Sequence, residues 1–393
     1  MSDYEIAIVG GGPAGLIAAL ALSRASRKVA LIGPAPNRKD QRTTALMDHS
    51  IRFLDRLGLW ENLEPATAAL STMRIIDGTK RLIRAPTVNF RAAEIDLPAF
   101  GYNIPNGMLN AALADAVASE ANIAWFETVV SEILPGDDAV TLTLESGDSI
   151  SADMIVGADG RNSKVRAAAG IDTKTWAYPQ TAVVLNFAHA LPHRNISTEF
   201  HTPTGPFTQV PLPGDRSSLV WVVSAAEADA LIEKAPEELS QLIETRMASL
   251  LGAVTVEGAP QKWPLSSMVA NRFGKGRIAI IGEAAHAFPP IGAQGLNLSL
   301  RDILALTRML DGVTAKPIGR HAGDRFDLQR KGDVWSRTVS VDILNRSLLA
   351  GFLPVQMARA AGLKLLGAFP PLRQFAMREG VEPLRGFKAL LPH

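Results

Sequence analysis

Three glycines near the start of the chain, Gly10, Gly12 and Gly15, have the GxGxxG spacing that lets a backbone close on a pyrophosphate. The first permits a tight turn. The second admits phosphate oxygens close to the main chain. The third lets a helix pack tightly on a strand. Pro13 and Ala14 complete the run. A glycine-rich turn of another fold is the alternative. The apolar strand pattern at 5–9 and the helical pattern at 16–26 supply the strand–turn–helix frame that a dinucleotide site requires. A second stretch, 277–302, has the same physical character. Its apolar run at 278–281 reads as a buried strand. It turns through Gly282, passes Pro289, Pro290 and Gly292, and ends in a helical pattern from about Gln294. A strand that empties through glycines onto a helix N-terminus makes an anion site, because free N–H groups and the helix dipole converge there. A third such turn runs from Gly157 through Asp159 and Gly160 to Ser163, after a strand at 153–156. Asp159 reads either as the cap of that turn or as a ligand contact.

Other elements must position these turns. A second strand, 28–32, ends at Gly33, where a dinucleotide fold usually carries an acid that holds the ribose. That contact then passes to backbone, water or another side chain. Arg42 reads either as a phosphate or ring-edge contact or as a solvated loop arginine. The pattern predicts a helix over 45–57, capped by Thr43 or Thr44. Short strands follow over 73–100, with Arg74, Arg81, Arg84 and Arg91 spaced as on a solvated sheet face. A helix is predicted over 106–120, with Met108, Leu109, Leu113 and Val117 on one face. Strands are predicted at 123–126, 139–144 and 149–150, with turns supplied by Gly136-Asp137-Asp138 and Ser146-Gly147-Asp148. From 176 to 263 the chain alternates β-branched and aromatic residues, interrupted by helical patterns at 225–231 and 236–250. This reads as a mostly antiparallel sheet that can offer one face to a ligand. One or two helices are predicted over 320–349, followed by an apolar, basic tail.

The chain has 393 residues, enough for two or three domains. Apolar residues make up 47% and charged residues 20%, as in ordinary globular proteins. A formal net charge of +1 gives no electrostatic case for nucleic acid. There is no cysteine, which removes disulfides, cysteine-ligated zinc and thiol catalysis and suits a reducing compartment. No metal site is expected. The first strand starts too early for a signal peptide, and no apolar run is long enough to predict a transmembrane helix.

The three motifs stand in one order: GGGPAG, GADGRNS and GEAAHAFPPIGAQGLNLSLRD. The trio resembles the aromatic flavoprotein monooxygenases of the para-hydroxybenzoate hydroxylase fold. Outside it, Tyr178-Pro179-Gln180, Ala182, Glu199-Phe200, Gly205-Pro206, Pro211-Leu212-Pro213, Val220-Trp221 and the end of the tail at Pro370-Pro371-Leu372-Arg373 resemble the flavin-dependent hydroxylases of ubiquinone biosynthesis. The resemblance implies an α/β fold. A Rossmann-like FAD-binding domain (1–72, 101–175 and 270–345) would be split by a mostly antiparallel substrate domain (73–100 and 176–269), with a helical tail at 346–393. It implies FAD as cofactor, with NAD(P)H or another electron donor and O2 as co-substrates. A flavin C4a-hydroperoxide would transfer oxygen to a phenolic ring, with water excluded.

Carried over residue by residue, Gly10, Gly12, Pro13, Ala14 and Gly15 would hold the FAD pyrophosphate. Asp159 and Gly160 would touch FAD and, in relatives, the nicotinamide donor. Gly282 and Glu283 would approach the pyrophosphate and ribityl chain. Pro289, Pro290, Gly292, Ala293, Gln294, Gly295, Leu296 and Asn297 would lie beside the isoalloxazine ring. Arg42 matches an arginine found in many relatives. Three positions depart from the pattern: Gly33; Glu283, where the wider family has Asp; and Gly107, where many relatives carry a flavin-contacting arginine. No catalytic base is assignable: His286 reads as a structural hydrogen-bonding group and His49 as a boundary residue of its helix.

The implied substrate is a polyprenylated phenol. Implied partners are other ubiquinone-biosynthesis proteins. The rival readings are a hydroxylase of small soluble aromatics and a flavin-binding scaffold subunit. The tail reads either as a peripheral membrane contact at the inner face of a cytoplasmic enzyme or as a packed C-terminal helix.

Overall fold

The computed structural model describes residues 2–79, 86–290, 293–311, 317–349 and 369–381. Arg81, Arg84, Gly292 and most of the apolar tail lie outside them. Elements are numbered in chain order. The first sheet is built on strands β1 (Tyr4–Val9), β2 (Val29–Ile32), β8 (Ile123–Phe126), β11 (Ser149–Gly157), β17 (Gly274–Lys275) and β18 (Ile278–Ile280). Their order is β17-β18-β11-β1-β2-β8, and β18, β11, β1, β2 and β8 run parallel. Strands β9 (Val130–Pro135) and β10 (Val140–Leu144) extend from β11 as an antiparallel flap. The central strands are apolar at nearly every position because both faces are covered. Ile6, Ile8, Leu31 and Ile155 have no exposed surface. Helix α1 (Pro13–Arg24) covers one face and is buried from Gly15 to Ser23. This is a Rossmann-like α/β layer.

The second sheet contains β5 (Thr72–Asp77), β6 (Val88–Arg91), β12 (Thr173–His189), β13 (Ile196–Thr202), β14 (Gly205–Leu212), β15 (Arg216–Ser224), β16 (Val254–Ala270) and β19 (His286–Ala287). The order is β19-β16-β12-β15-β14-β13-β5-β6. All pairs are antiparallel except β13 with β5. One face carries Val183, Phe187, Phe200, Phe207 and Trp221, which pack beneath α6 (Ala225–Ile232) and α7 (Pro236–Arg246). The other face carries Ala182, Val184, Val220, Val222 and Leu265. It turns towards the loop before β3 (Thr43–Met47): the Asn186 amide donates to the Gln41 carbonyl at 2.8 Å, and the Thr43 hydroxyl to Ser218 Oγ at 3.0 Å.

β3 pairs with β7 (Gly101–Pro105), which also pairs with β4 (Ala68–Ala69). This corrects the helix expected over 45–57. The register of β3 and β7 claims Ala45–Met47, and helix α2 (Asp48–Arg56) begins only after it. Thr43 and Thr44 lie in the strand, and no side chain caps α2. Helix α3 (Trp60–Leu63) follows. Helix α4 (Asn106–Ala118) buries Leu109, Leu113 and Val117 but leaves Met108 exposed. Two expected strands, at 149–150 and 153–156, are one continuous β11, and β9 had no counterpart in the pattern. Strands β12 and β16 begin and end inside segments expected to belong to the nucleotide layer, at Thr173 and Ala270.

After the turn helix α5 (Lys164–Ala168) and the long α8 (Gly295–Asp311), one helix, α9 (Ala322–Leu349), closes the nucleotide layer. Helix α10 (Pro370–Val381) docks Met377 and Val381 against Ala92, Ile95 and Phe100. No described helix is long and apolar enough to cross a membrane.

Arg277 sets where β18 begins. Its nearly buried guanidinium donates to the carbonyls of Asp137, Asp153 and Ile318 at 2.7–2.9 Å. Arg277→Met leaves these carbonyls unpaired and should cost about 3 kcal/mol. Urea unfolding should show a lower midpoint with an unchanged slope.

Candidate cofactor and substrate site

The parallel pairing of β1, β11 and β18 brings the three glycine turns to one edge of the sheet. Backbone bonds join them: Ala158 N–H donates to the Val9 carbonyl at 2.7 Å, and Ile281 N–H to the Gly157 carbonyl at 2.8 Å. A side chain on Gly10 would stand 2.2 Å from the Ala158 oxygen, and one on Gly15 would stand 1.8 Å from the Gly10 oxygen. Gly12 differs. A Cβ there meets nothing within 4 Å, and Gly12 is the N-cap of α1 without any side-chain cap. The first N–H groups of α1 therefore face open space, as an anion site requires.

Gly33 also has a steric reason. A Cβ there would lie 2.3 Å from Gly11 N, and Trp125 Nε1 pins the Gly33 carbonyl at 3.0 Å. Gly107 is equally constrained, since its Cβ would meet the Arg38 oxygen at 2.5 Å.

In the middle turn, Asp159 Oδ2 accepts from Val165 N–H at 3.2 Å, the capping role. Its other oxygen is buried and has no partner among the described residues, beside a Gly160 that opens on empty space with φ 80°. Asp159 thus caps the turn and keeps an acceptor for a ligand hydroxyl. Arg166 ties this turn to the late one, donating to the Ala284 carbonyl at 2.8 Å. Glu283 is exposed, with Arg161 3.7 Å away. The Gly282 N–H points inward, to Asp302 at 3.1 Å.

Asp302 is buried and anchors the late turn. His286 donates to it at 2.7 Å, and Arg330 at 2.8 Å from the other side. Burial pushes the carboxyl pKa up, but His286, Arg330 and the Gly282 N–H outweigh it and hold it below the usual range. His286 is buried and stacked on Phe288, in keeping with a structural role.

The next loop contains a buried Pro289 and an exposed Pro290. Ala293 holds φ 53°, a left-handed conformation costing about 1 kcal/mol for alanine. Asn297 secures it. Its amide donates to the Ala293 and Ala45 carbonyls, and its oxygen accepts from Met47 N–H and Ser50 Oγ, all at 2.6–2.8 Å. With every polar position engaged, Asn297 positions the loop, and Leu296 packs against the core. Gly295 opens on empty space, and a small cavity between Met47, His49 and Gln294 lies beside it. His49 Nδ1 bonds the Val381 carbonyl of α10 at 2.9 Å.

Arg42 stands between the two sheets. It chelates Asp40 at 2.7–3.2 Å and lies 5.1 Å from the Trp263 ring. Burial raises the Asp40 pKa, but hydrogen bonds from Arg42 and Asn106 prevail and hold it low. Arg42 is thus a tethered residue at the mouth of the cleft. Among the described residues no cluster could hold a metal ion.

Open glycines, an uncapped helix N-terminus and an orphaned acceptor fit a dinucleotide. A model of an FAD-binding domain family matches residues 3–324. The ubiquinone hydroxylase UbiL of Rhodospirillum rubrum is 32% identical over 393 residues, covering 97% of this chain and 90% of that one. The 3-demethoxyubiquinol 3-hydroxylase of Escherichia coli is 31% identical, covering 91% of this chain and 93% of that one. The crystal structure of p-nitrophenol 4-monooxygenase PnpA from Pseudomonas putida superposes with a TM-score of 0.78 at 21% identity, covering 98% of both chains. Fold and site thus define an FAD-dependent monooxygenase. Within that class the chain belongs to the family of the ubiquinone hydroxylases.

Three outcomes are expected. Gly12→Ala should fold with an unchanged melting temperature as apoprotein yet bind FAD at least roughly tenfold more weakly in fluorescence titration. Gly15→Ala should lose the fold itself. The depressed Asp302 pKa stabilises the protein above the unfolded-state value of about 4 and is lost as pH falls through that value and below it. Asp302→Asn should therefore flatten the acid side of a stability-against-pH curve measured with urea.

Proposed function

We propose that the protein hydroxylates the aromatic ring of a polyprenylated phenol in ubiquinone biosynthesis. The observation that carries this reading is similarity to ubiquinone-ring hydroxylases along nearly the whole chain. The second sheet supports it: Val184, Val220 and Val222 form a largely apolar face towards the loop that bears Arg42. Such a face suits a ring with a hydrocarbon tail.

In this reading Gly10, Gly12, Pro13, Ala14 and Gly15 line the FAD pyrophosphate, with the α1 N-terminus supplying N–H groups. Asp159 and Gly160 take ribityl or pyrophosphate oxygens, and Gly282 and Glu283 form the adjoining wall. Pro289 to Asn297 border the isoalloxazine ring, with the Ala293 carbonyl held by Asn297. Arg42 stands at the ring edge. Bound FAD supplies the activation of O2, using two electrons from NAD(P)H or another donor. One oxygen atom enters the ring and the other leaves as water. The chain's own work is to orient the ring and exclude water, for which the apolar sheet face and the Pro-Pro loop are suited. The enzyme works in the cytoplasm. Phe369, just before α10, and Leu372, on it, are exposed and offer a peripheral contact with the membrane that holds the substrate.

Purified holoprotein given a prenylated phenol, NAD(P)H and air should yield a product heavier by one oxygen atom. Deleting the gene should accumulate an under-hydroxylated polyprenylphenol by mass spectrometry. Normal quinone levels would sink the assignment. Rescue by a variant that binds FAD without turnover would instead identify a scaffold.

A further inference from the structure

The strand registers place side chains in rows across the second sheet. One row runs Gln261, Val184, Val220, Thr208, Glu199 and Ile75. Alternation along β13 puts His201 on the same face, one step beyond Glu199. That face is the one Asn186 and Ser218 tie to the Gln41–Thr43 loop. Beyond Val184 and Val220 this face therefore carries Thr208 and then two ionisable groups, and they are paired. His201 Nε2–H donates to Glu199 Oε1 at 2.8 Å, and the Thr208 hydroxyl approaches Glu199 Oε2 at 3.4 Å. The imidazole is 11% exposed and the carboxylate 30%.

An ionised carboxylate can only accept a hydrogen bond. It therefore keeps the imidazole proton on Nε2 and leaves Nδ1 with a free lone pair. His201 Nδ1 has no protein partner among the described residues. A basic nitrogen without a protein partner, on the face that meets the Gln41–Thr43 loop, with a carboxylate behind it fixing the tautomer, is the arrangement a general base requires. Among the described residues the other charged group facing His201 is Asp77, opposite it on β5, where Thr79 donates to Asp77 Oδ1 at 2.6 Å and 3.0 Å.

We propose that His201 is the acceptor of the substrate's phenolic proton and that Glu199 is its positioning residue. The proposal rests on the phenol reading above. The phenolic O–H bond breaks, its electron pair stays on oxygen, and the proton forms an N–H bond at Nδ1. The resulting phenolate is a more electron-rich ring for oxygen transfer, and Glu199 balances the imidazolium. The proton returns when the product leaves.

The test uses holoenzyme with a para-fluorinated geranylphenol. Binding is read from the visible spectrum of the flavin and ionisation of the bound probe from its fluorine NMR shift across a pH series. In the wild type the bound probe should ionise at least about one pH unit below the free phenol. In His201→Gln and Glu199→Gln the bound probe should ionise as the free phenol does, with kcat down roughly a hundredfold. Glu199→Asp should restore most of the wild-type shift. Retained flavin content and melting temperature show that the variants are folded, and either one alone suffices. Wild-type ionisation in both variants would overturn the proposal. Failure of the probe to perturb the wild-type flavin would instead overturn the substrate reading beneath it.

Discussion

Backbone-to-backbone contact at the ends of three parallel strands governs this molecule. The turns after β1 and β11 touch so closely that Gly10 has no room for a Cβ beside Ala158, and Gly15 has none beside Gly10 within the first turn. That contact aims the N-terminus of α1 and the late turn into one volume. Segments about 150 and 270 residues apart in sequence thereby form a single cofactor cradle. The glycines do two separable things there. Gly10, Gly11 and Gly15 let protein meet protein, whereas Gly12, Gly160 and Gly295 leave room for something that is not protein.

Beneath the cradle, the Asp302 carboxylate holds the late turn by accepting from a backbone N–H, an imidazole and a guanidinium. A buried carboxylate is costly unless each partner is in place. Arg330 is in turn held by Asp333, which also pairs with Arg301. Helices α8 and α9 are thus clasped around the turn by charge as well as by packing. Asn297 does for the following loop what Asp302 does for the turn, through neutral hydrogen bonds to β3 and α2.

What the sequence revealed followed from locality. A strand, a glycine turn and a helix are contiguous, so all three cradle turns could be read from spacing and apolar runs. The start of α2 could not, because Ala45–Met47 are apolar enough for either helix or strand and are decided by β7, more than fifty residues away. Strand β9 escaped notice because its outer positions, Ser131 and Glu132, are exposed, so no apolar alternation marks it. Gly33 looked like a lost ligand and Gly107 like a missing arginine. Each answers to a backbone atom from another segment, Gly11 N and the Arg38 oxygen, which sequence cannot place. His201 lies in no motif, and Glu199 entered only through the family resemblance. The registers of β13 and β14 with their neighbours are what place both on the face that carries Val184 and Val220.

Strand β19 pairs with the end of β16, so residues of the late motif, His286 and Ala287, are stitched into the second sheet at Val269 and Met268. The wall that would hold a substrate and the strand that leads into the loop that would border a flavin are parts of one ladder. Their separation is set by hydrogen-bond spacing and not by a hinge. Selection can then repaint the open face of the sheet, at positions such as Val184, Val220 and Glu199, while Phe187, Phe207 and Trp221 on the opposite face keep the sheet folded. Such a wall behaves as an exchangeable plate at a constant distance from its tool, which lets one scaffold serve many rings.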